Sequence, residues 1–433
     1  MSCWRWILVV GVVSLCWTSS AWGRQGILTG SFSVLQEYDS NINLTDDGEE
    51  EAWYTVFSPS LIFTSLAQQD RLSLAYAPAL RIDQSNDETE VDHHLTVEGD
   101  KQFSSRWSGE FKESYIRSND YTYYVSEFVQ QEGEGISLSD RRRRREYWTN
   151  GFSVASEYEY AQESVLGLGY GNQILENDAP EVDDYVKHHP YLVVSHRLNQ
   201  FWTAGASYDY IYGDFDNEVA ATEDLSEHLL GLNASYQATL HDLVFASYQY
   251  ADLDYDGNRS DYQLHRADLG WQRALGPHDS IAASLGGSYA DREDNDSETG
   301  FNYSLDYIKE IKRGAFRIGG KGGMDELQFD ADVDDGLSRF WSVEGTLDYQ
   351  LLEQLSSQVY ASVREDDFFE ATPDFKEQSY VLGSKLSYAL WRWYALSLGY
   401  SYRQLDSDLQ GGDYQDHRAY VELSVGKELA RWL

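Results

Sequence analysis

The stretch Tyr394–Arg403, with the sequence YALSLGYSYR, alternates along its whole length between large apolar or aromatic residues and small or polar ones. Successive side chains of a β-strand point to opposite faces, so the stretch predicts a strand with one apolar and one polar face. The same alternation recurs at Leu72–Ile82 and at Trp341–Tyr349, where Glu344 and Asp348 share the polar face. Alternation alone does not separate a soluble sandwich from a barrel in lipid.

A repeated unit of about ten copies runs through the chain, and long arrays of this kind favour a barrel of hairpins. Each copy is a short polar turn, an alternating strand, an acidic segment and an alternating strand back. The short turns lie near Ala67–Asp70, Ser104–Arg106, Ala161–Ser164, Leu198–Gln200, Thr239–Asp242, Gly276–Asp279, Lys312–Gly314, Leu352–Gln354 and Trp391–Trp393.

The repeat predicts an all-β fold, a transmembrane antiparallel up-and-down barrel of about 20 strands, within a range of roughly 18 to 20. The last strand, near Tyr414–Leu429, is expected to close against the first, near Gly26–Asn43. A barrel of 16 to 18 strands already encloses an aqueous channel, so this one should conduct unless it is plugged.

The amino terminus has the three parts of a cleavable signal peptide: a basic start, the apolar run Ile7–Trp17 and a small-residue site ending at Gly23. The expected domains are therefore a signal peptide at residues 1–23 and one outer-membrane barrel at residues 24–433. Both cysteines, Cys3 and Cys16, fall in the leader, which leaves the mature chain without thiols, as suits passage through an oxidising periplasm.

The composition combines a formal net charge of −40 with 33 Tyr, 17 Phe and 13 Trp. A mean hydropathy of −0.55 is typical of soluble or disordered chains, yet disordered chains are poor in aromatic residues. Only half of each strand of a membrane barrel meets lipid, so a low mean hydropathy is expected, and Tyr and Trp suit the interfaces. The charge opposes nucleic-acid binding.

Acidic residues concentrate between paired strands, where long extracellular loops are expected. A solvated surface bridged by divalent cations to lipopolysaccharide phosphates is one reading, and binding of calcium or steering of a cationic substrate is the other. The calcium-like fragments at Asp252–Asn258 and Asp291–Asp296 lack the downstream Glu of a calcium loop. The segments are Asp46–Glu51, Asn86–Asp92, Glu176–Asp184, Asp214–Glu227, Asp252–Asp261, Asp291–Glu298, Asp330–Asp335, Glu365–Glu377 and Asp406–Asp416.

One basic run contrasts with this acidic background: Arg141, Arg142, Arg143, Arg144 and Arg145 are consecutive, at the end of the long segment Ser118–Arg145. Adjacent guanidinium groups repel unless anions lie nearby, and Arg pairs well with phosphate or carboxylate. The run is expected either to grip lipopolysaccharide phosphates at the rim or to fold inward and line a constriction for an anionic solute.

Charged residues within the strands are candidates for the lumen. Cations at alternating positions are accompanied by Asp209, Asp306 and Asp348, so a mixed lining is expected. The glycine-rich run Gly319–Gly323 predicts a strand bend or close approach of another backbone. The candidate lumen charges are Arg81, Arg317, Lys321, Glu344, Arg364, Lys385 and Arg403.

Signals for catalysis and metal binding are weak. His93-His94 and His188-His189 are adjacent pairs, and neighbours along a strand point to opposite faces, which makes each pair a poor metal site. No Ser, His or Asp carries a local nucleophile signature. The sequence predicts a non-enzyme with no catalytic, cofactor-binding or metal residues and no cofactor.

The segment Glu37–Ile42, followed by an acidic loop, Ser58–Leu61 and Leu72–Tyr76, resembles the start of the putative β-barrel porin 2 family. It is also similar to outer-membrane proteins found with exopolysaccharide and PEP-CTERM systems. The resemblance is clearest over residues 26–82. It implies a Gram-negative outer-membrane barrel linked to export of extracellular polysaccharide, and it carries over no functional residues.

The sequence therefore predicts an outer-membrane channel that lets a hydrophilic substrate cross passively, an exopolysaccharide first of all. A general diffusion porin, and a structural or adhesive barrel with cation-binding loops, remain alternatives. Expected partners are the outer membrane and its lipopolysaccharide, the barrel-assembly machinery that reads the closing strand, and exopolysaccharide with periplasmic export components. The chain ends in Arg431-Trp432-Leu433, where many such proteins end in phenylalanine.

Overall fold

The structure is a computed structural model that describes residues 24–119, 146–178, 183–216, 223–257, 259–292, 297–327, 329, 336–369, 374–409 and 411–432. The predicted signal peptide at residues 1–23 and the run Arg141–Arg145 lie outside these ranges, so both stay predictions. No helix in the described part is long and apolar enough to cross a membrane.

The described residues form twenty-one strands, which are joined in chain order into one antiparallel sheet. They are β1 (Gln25–Asp39), β2 (Ala52–Leu66), β3 (Asp70–Tyr76), β4 (Ala79–Asp83), β5 (Glu88–Ser104), β6 (Trp107–Ser118), β7 (Tyr147–Ala161), β8 (Ser164–Asn177), β9 (Asp184–Arg197), β10 (Trp202–Asp216), β11 (Leu225–Gln237), β12 (Asp242–Tyr255), β13 (Tyr262–Gly276), β14 (Asp279–Arg292), β15 (Glu298–Ile311), β16 (Gly314–Leu327), β17 (Gly336–Leu352), β18 (Leu355–Phe368), β19 (Phe375–Ala389), β20 (Tyr394–Ser407) and β21 (Tyr414–Trp432).

The sheet closes into a barrel that is twenty strands around, one fewer than the number of strand segments. β3 and β4 both pair with β2 on one side and with β5 on the other, so they are two segments of a single strand of the barrel. The interruption lies at Pro78, whose nitrogen carries no hydrogen to donate to a neighbouring strand. β1 pairs with β21 from Gly26–Trp432 to Asp39–Arg418, which closes the sheet. The predicted barrel class, strand number and closing pair are confirmed.

All nine predicted short turns lie where consecutive strands reverse, between β2 and β3 and at the eight later turns down to β19–β20. The acidic segments are partly different from the prediction, because several of them are not loops. Asp214 and Asp216 belong to β10, Asp252 and Asp254 to β12, and Glu365 to β18. Cross-strand hydrogen bonding continues into water, so the strands extend beyond the membrane and the connecting loops are shorter than expected.

The outer face bears two aromatic girdles, as a membrane barrel requires. At the turn side the rings include Trp107, Trp202, Trp271 and Tyr394. At the other side tyrosine and histidine alternate in cross-strand pairs, described below. Between the girdles the exposed residues are large and apolar, among them Leu168, Leu232, Leu269, Leu285, Phe301, Leu305, Val343, Leu382 and Leu398.

Five hairpins carry the same pair, a Tyr on the first strand whose hydroxyl lies 2.7–2.9 Å from Nδ1 of a His on the second. In each, the His lies two residues from the cross-strand partner of the Tyr, so one geometry repeats around the barrel. We call this set the Tyr–His belt. Its pairs are Tyr76–His93, Tyr170–His188, Tyr208–His228, Tyr248–His265 and Tyr400–His417.

Candidate functional site: the lumen and its extracellular barrier

The strand register defines which side chains face the lumen, because cross-strand partners in an antiparallel pair share a face. Lys385 pairs with Gly399 and Arg364 with Ser379, on the face opposite the exposed Leu382 and Leu398. All the candidate lumen charges lie on this inner face; their role in permeation stays a prediction. They are Arg81, Arg317, Lys321, Glu344, Arg364, Lys385 and Arg403.

Arg364 is the centre of a buried ion-pair network. Its guanidinium is 4% exposed and lies 2.8 Å from Asp325 and 2.7 Å from Asp366. It also stacks over Phe340, 4.4 Å from the ring centroid. Asp325 belongs to β16, and Arg364 and Asp366 belong to β18, so the network joins these two strands near the extracellular end of the lumen.

Two other predicted cations have carboxylate neighbours. Arg81 is buried and lies 3.7 Å from Asp92 of β5. Arg317 lies 3.2 Å from Asp306 of β15, where both groups are more than a third exposed. The lumen lining is therefore mixed in sign, as the sequence indicated.

Aromatic rings lie flat on the lumen wall over glycines of the next strand. Tyr360 of β18 crosses Gly383, where an added Cβ would be 2.0 Å from its Cε1. Tyr420 of β21 crosses Gly399 of β20 in the same way, 2.1 Å from the position of such a Cβ. Glycine is required at both positions because only a bare backbone leaves room for the ring. Both rings are half-buried, and each presents apolar surface to the lumen.

The extracellular end of β16 separates from its neighbour β15 and turns inward. Its pairing with β15 ends at Tyr303–Gly322, whereas its pairing with β17 continues to Leu327–Gly336. The glycine-rich run lies at this point, in agreement with the predicted bend.

Beyond the bend, β16 reaches toward strands that lie further around the barrel. Met324 is buried among apolar residues of β11–β14, and its carbonyl oxygen accepts a hydrogen bond from Arg266 Nη2 of β13 at 2.6 Å. The Glu326 carboxyl lies beside that of Glu227 on β11, within hydrogen-bonding reach. The departure of β16 therefore brings its end across part of the lumen.

Phe329, which follows β16, continues this crossing. Its ring centroid lies 5.5 Å from those of Tyr185 on β9 and Phe215 on β10, and Lys187 Nζ lies 4.0 Å from it. Phe215 and Phe329 pack against both of two apolar clusters, one lining β11–β17 and the other lining β6–β9. The two clusters, with Phe215 and Phe329 between them, form an apolar layer inside the extracellular end of the barrel, which we call the barrier.

Sequence reasoning did not identify the barrier. Tyr185, Phe215 and Phe329 lie in or beside acidic segments that were read as solvated loops, and Met324 follows the glycine-rich run. An aromatic or apolar residue isolated within an acidic segment is the signal that could have pointed to it. The histidine pairs behave as predicted: His188 contacts Tyr170 in the Tyr–His belt, while its neighbour His189 faces inward, 3.0 Å from Asp209.

Comparison with known proteins supports the fold and the family. Residues 337–427 match the family model described as Putative beta-barrel porin 2. The match covers β17 to most of β21, whereas the resemblance in the sequence was clearest over residues 26–82. No curated protein is significantly similar to the chain.

Solved outer-membrane receptors have a similar fold at very low identity. A mutant of the ferric enterobactin receptor PfeA from Pseudomonas aeruginosa, in complex with enterobactin, is 11% identical with a TM-score of 0.54, covering 93% of this chain and 81% of the receptor. The siderophore receptor PirA from Acinetobacter baumannii is 8% identical with a TM-score of 0.54, covering 94% and 80%. This likeness concerns the fold alone. The chain thus has the fold of outer-membrane β-barrels, and its residues 337–427 match the Putative beta-barrel porin 2 family.

Proposed function

We propose that this barrel is a channel for passive export of a hydrophilic polymer, an exopolysaccharide, across the outer membrane. The observation that carries the proposal is the inner wall itself, where small, polar and charged side chains alternate with rings such as Tyr360 and Tyr420 that lie flat over glycines. Flat aromatic rings suit the apolar faces of sugars, and the polar rows between them can hydrogen-bond hydroxyl groups.

The mixed sign of the lumen supports a polymer rich in hydroxyl groups over a small ion as the principal substrate. Arg81, Arg317 and Arg364 each have a carboxylate within 3.7 Å, so the wall has no long single-sign stretch at these positions. Ion-selective pores instead use rings of one sign. The resemblance to proteins of exopolysaccharide systems points the same way.

Delivery to the membrane completes the proposal. The leader at residues 1–23 would direct secretion through the inner membrane, and the closing strand β21 would engage the barrel-assembly machinery. Lipopolysaccharide and divalent cations would meet the acidic extracellular side, and periplasmic export components would supply the polymer. The proposal assigns no catalytic step.

The barrier favours a second candidate, a structural or adhesive barrel with a closed lumen. An apolar layer that includes Phe215 and Phe329 would oppose the passage of water and ions unless it moves. A general diffusion porin is the third possibility, and it would admit neutral sugars up to a sharp size limit.

Planar-bilayer conductance of the refolded mature protein tests the proposal, together with release of polysaccharide from loaded vesicles. The export channel predicts conductance and release of a long neutral polymer, whereas a diffusion porin releases only short oligosaccharides. A correctly folded barrel that neither conducts nor releases polymer would exclude both channels and leave the structural reading.

The basic run is tested in the same assay by replacing Arg141–Arg145 with five Gln. If the run lines the pathway, the preference for anions falls in this variant, and a matched variant with five Lys retains it. Unchanged selectivity in both variants would place the run outside the pathway.

A further inference from the structure

We propose that the lumen wall formed by β6–β9 contains a binding site for an anionic sugar unit, such as a uronic acid residue of the exported polymer. This inference rests on the proposed function and specifies its substrate. The site is a cavity of about 280 Å³ directly beneath the barrier. That volume is just below the range for sites that bind drug-sized molecules, roughly 300–1,000 Å³, and suits a single sugar unit.

The register arranges the inner face of this wall in rows. The uppermost row, Ile116 to Tyr185, belongs to the barrier. Below it, one row contains Ser114, Gly151, Gln173 and Lys187, which are cross-strand neighbours. The cavity lies against this row and the next one down.

The second row of the cavity consists of Lys112, Ser153, Gly171 and His189. Glycine and serine leave the centre of the wall recessed, while long side chains project from its two sides. Lys112 and His189 therefore lie at opposite ends of the row, with the recess between them.

The charge of the lining is opposite to that of the chain. Lys112, Lys187 and His189 line the cavity and no Asp or Glu does, although acidic residues outnumber basic ones 73 to 33 in the sequence. Glu98 lies 3.9 Å from Lys112, and Asp209 lies 3.0 Å from His189. Because the Lys112 contact is long and about half exposed, it leaves the ammonium group able to bind an incoming carboxylate.

A ring platform lies one row below the cavity. Tyr191 crosses Gly169, where an added Cβ would be 2.1 Å from the ring carbon Cζ, so the ring lies flat on the wall. A pyranose stacked on Tyr191 would place its substituents near the row of Lys112 and His189, which lies directly above the ring. Hydroxyl and amide groups of Ser114, Ser153 and Gln173 line the cavity above the ring. A cation pair, a polar wall and an aromatic floor together fit an acidic sugar better than an inorganic anion, which would not use the ring.

The test compares tetragalacturonate with maltotetraose, which has the same length and no carboxylates. Binding to the detergent-purified barrel is measured by calorimetry, and block of single-channel current is measured in bilayers. We expect the acidic oligomer to bind at least about tenfold more tightly, and Lys112→Gln/Lys187→Gln to remove about that factor. Lys376→Gln, which removes an exposed lysine of β19 that faces away from the lumen, is the matched control.

Each outcome of these measurements either supports or contradicts the proposed site. Equal binding of the two oligomers, or an equal loss in Lys376→Gln, would overturn the site. Heat-modifiable migration on gels checks that each variant is folded. Calorimetric binding of the acidic oligomer without any conductance would contradict the channel but support the binding site. Conductance without a preference for the acidic oligomer would support the channel but contradict the binding site. A Tyr191→Ala variant should weaken both oligomers, since stacking does not depend on the carboxylate.

Discussion

At the scale of single residues, the inner wall contains charges that are buried because they are paired. Arg364 is almost completely enclosed by Asp325, Asp366 and the ring of Phe340. A buried ion pair contributes little compared with apolar packing, but removing one partner leaves the other charges uncompensated. The sequence identified Arg364 as a lumen charge from alternation. Asp366 lies two residues along the same strand, but Asp325 could not be identified as a partner because it is 39 residues away along the chain.

Replacing Arg364 with Ala should therefore lower the free energy of unfolding by about 3–5 kcal/mol. Urea unfolding of the barrel in lipid vesicles, followed by tryptophan fluorescence, measures this loss. Lys376→Ala, which removes an exposed cation 3.2 Å from Asp367, is the control and should cost less than about 1 kcal/mol. Similar losses in the two variants would mean that the Arg364 network contributes no more than a surface pair.

A second buried cluster lies at the extracellular end of the β1–β21 seam. Arg418 Nε lies 3.2 Å from Asp39 and 2.8 Å from Asp416, and both carboxylates are buried. Asp416 lies one residue to the extracellular side of His417 of the Tyr–His belt, outside the membrane. Burial, with the charge of Asp39 nearby, raises the pKa of Asp416 to about 6, although Arg418 acts in the opposite direction.

The raised pKa of Asp416 predicts a pH dependence of stability. A carboxyl that binds its proton more tightly in the folded state stabilises the fold below about pH 4, and this stabilisation is lost as the pH rises through about 6. Asp416→Asn keeps a neutral side chain at all pH values. The variant should gain stability relative to wild type between about pH 4 and 6.

Urea unfolding of both proteins across this range measures the difference. Asp408→Asn, which alters an exposed carboxylate in the loop before β21, is the control and is expected to differ from wild type by the same small amount at every pH. A wild-type to Asp416→Asn difference that does not change with pH would contradict the prediction.

At the scale of secondary structure elements, the Tyr–His belt shows how one hairpin geometry repeats. Tyrosine and histidine both have an apolar ring and a polar edge, which suits the boundary between lipid and water. His265 contacts Tyr248, Tyr250 and Tyr289, with ring centroids 5.0 to 6.2 Å apart. The belt had a signal in the sequence, a Tyr followed by a His 17 to 20 residues later, but that spacing has meaning only once the register is known.

His265→Ala should reduce the free energy of unfolding by about 1–2 kcal/mol, because it removes one hydrogen bond and the ring contacts of three strands. His241→Ala, in the exposed turn before β12, provides the comparison and should be close to neutral. Refolding into vesicles and urea titration give both values. Equal stability of the two variants would show that the belt does not stabilise the barrel.

Element boundaries were predictable to different degrees. The short turns were placed correctly because two antiparallel strands need few residues to reverse, and polar residues mark the reversal. The acidic segments were read as loops because charge was taken as a sign of irregular structure. Tyr255 and Tyr262, at the ends of β12 and β13, show why this was incomplete: both are buried and hold the strands together above the membrane.

At the scale of the whole molecule, the inward end of β16 and the ring of Phe329 narrow the lumen of the barrel. Phe329 lies against Tyr185 and Phe215, and β16 bends inward to deliver it. A channel with this barrier would open when Phe329 withdraws. The ring then loses apolar contacts, so the closed state is the more stable one.

Phe329→Ala should therefore raise the open fraction in single-channel recordings. Full burial of a phenyl ring contributes about 1.5–3 kcal/mol, and the Phe329 ring is partly buried, so its removal should destabilise the closed state by up to about that amount. Such a loss lowers the ratio of closed to open channels by up to about 100-fold. Phe201→Ala removes an exposed ring at the opposite end of the barrel and is expected to leave this ratio unchanged. Identical recordings from wild type and Phe329→Ala would mean that the barrier does not control conduction.

The sequence by itself determined the closed barrel, its strand number and the division of each strand into lipid-facing and lumen-facing residues. These follow from local rules, since alternation has a period of two and every polar backbone group must be paired within a membrane. Only the tertiary structure decided the partners of Arg364, the inward course of β16 with Phe329, and the lysine-lined cavity beneath it. Those features join strands that are far apart in the chain. Their contacts depend on the diameter and stagger of the closed barrel, which no local pattern encodes.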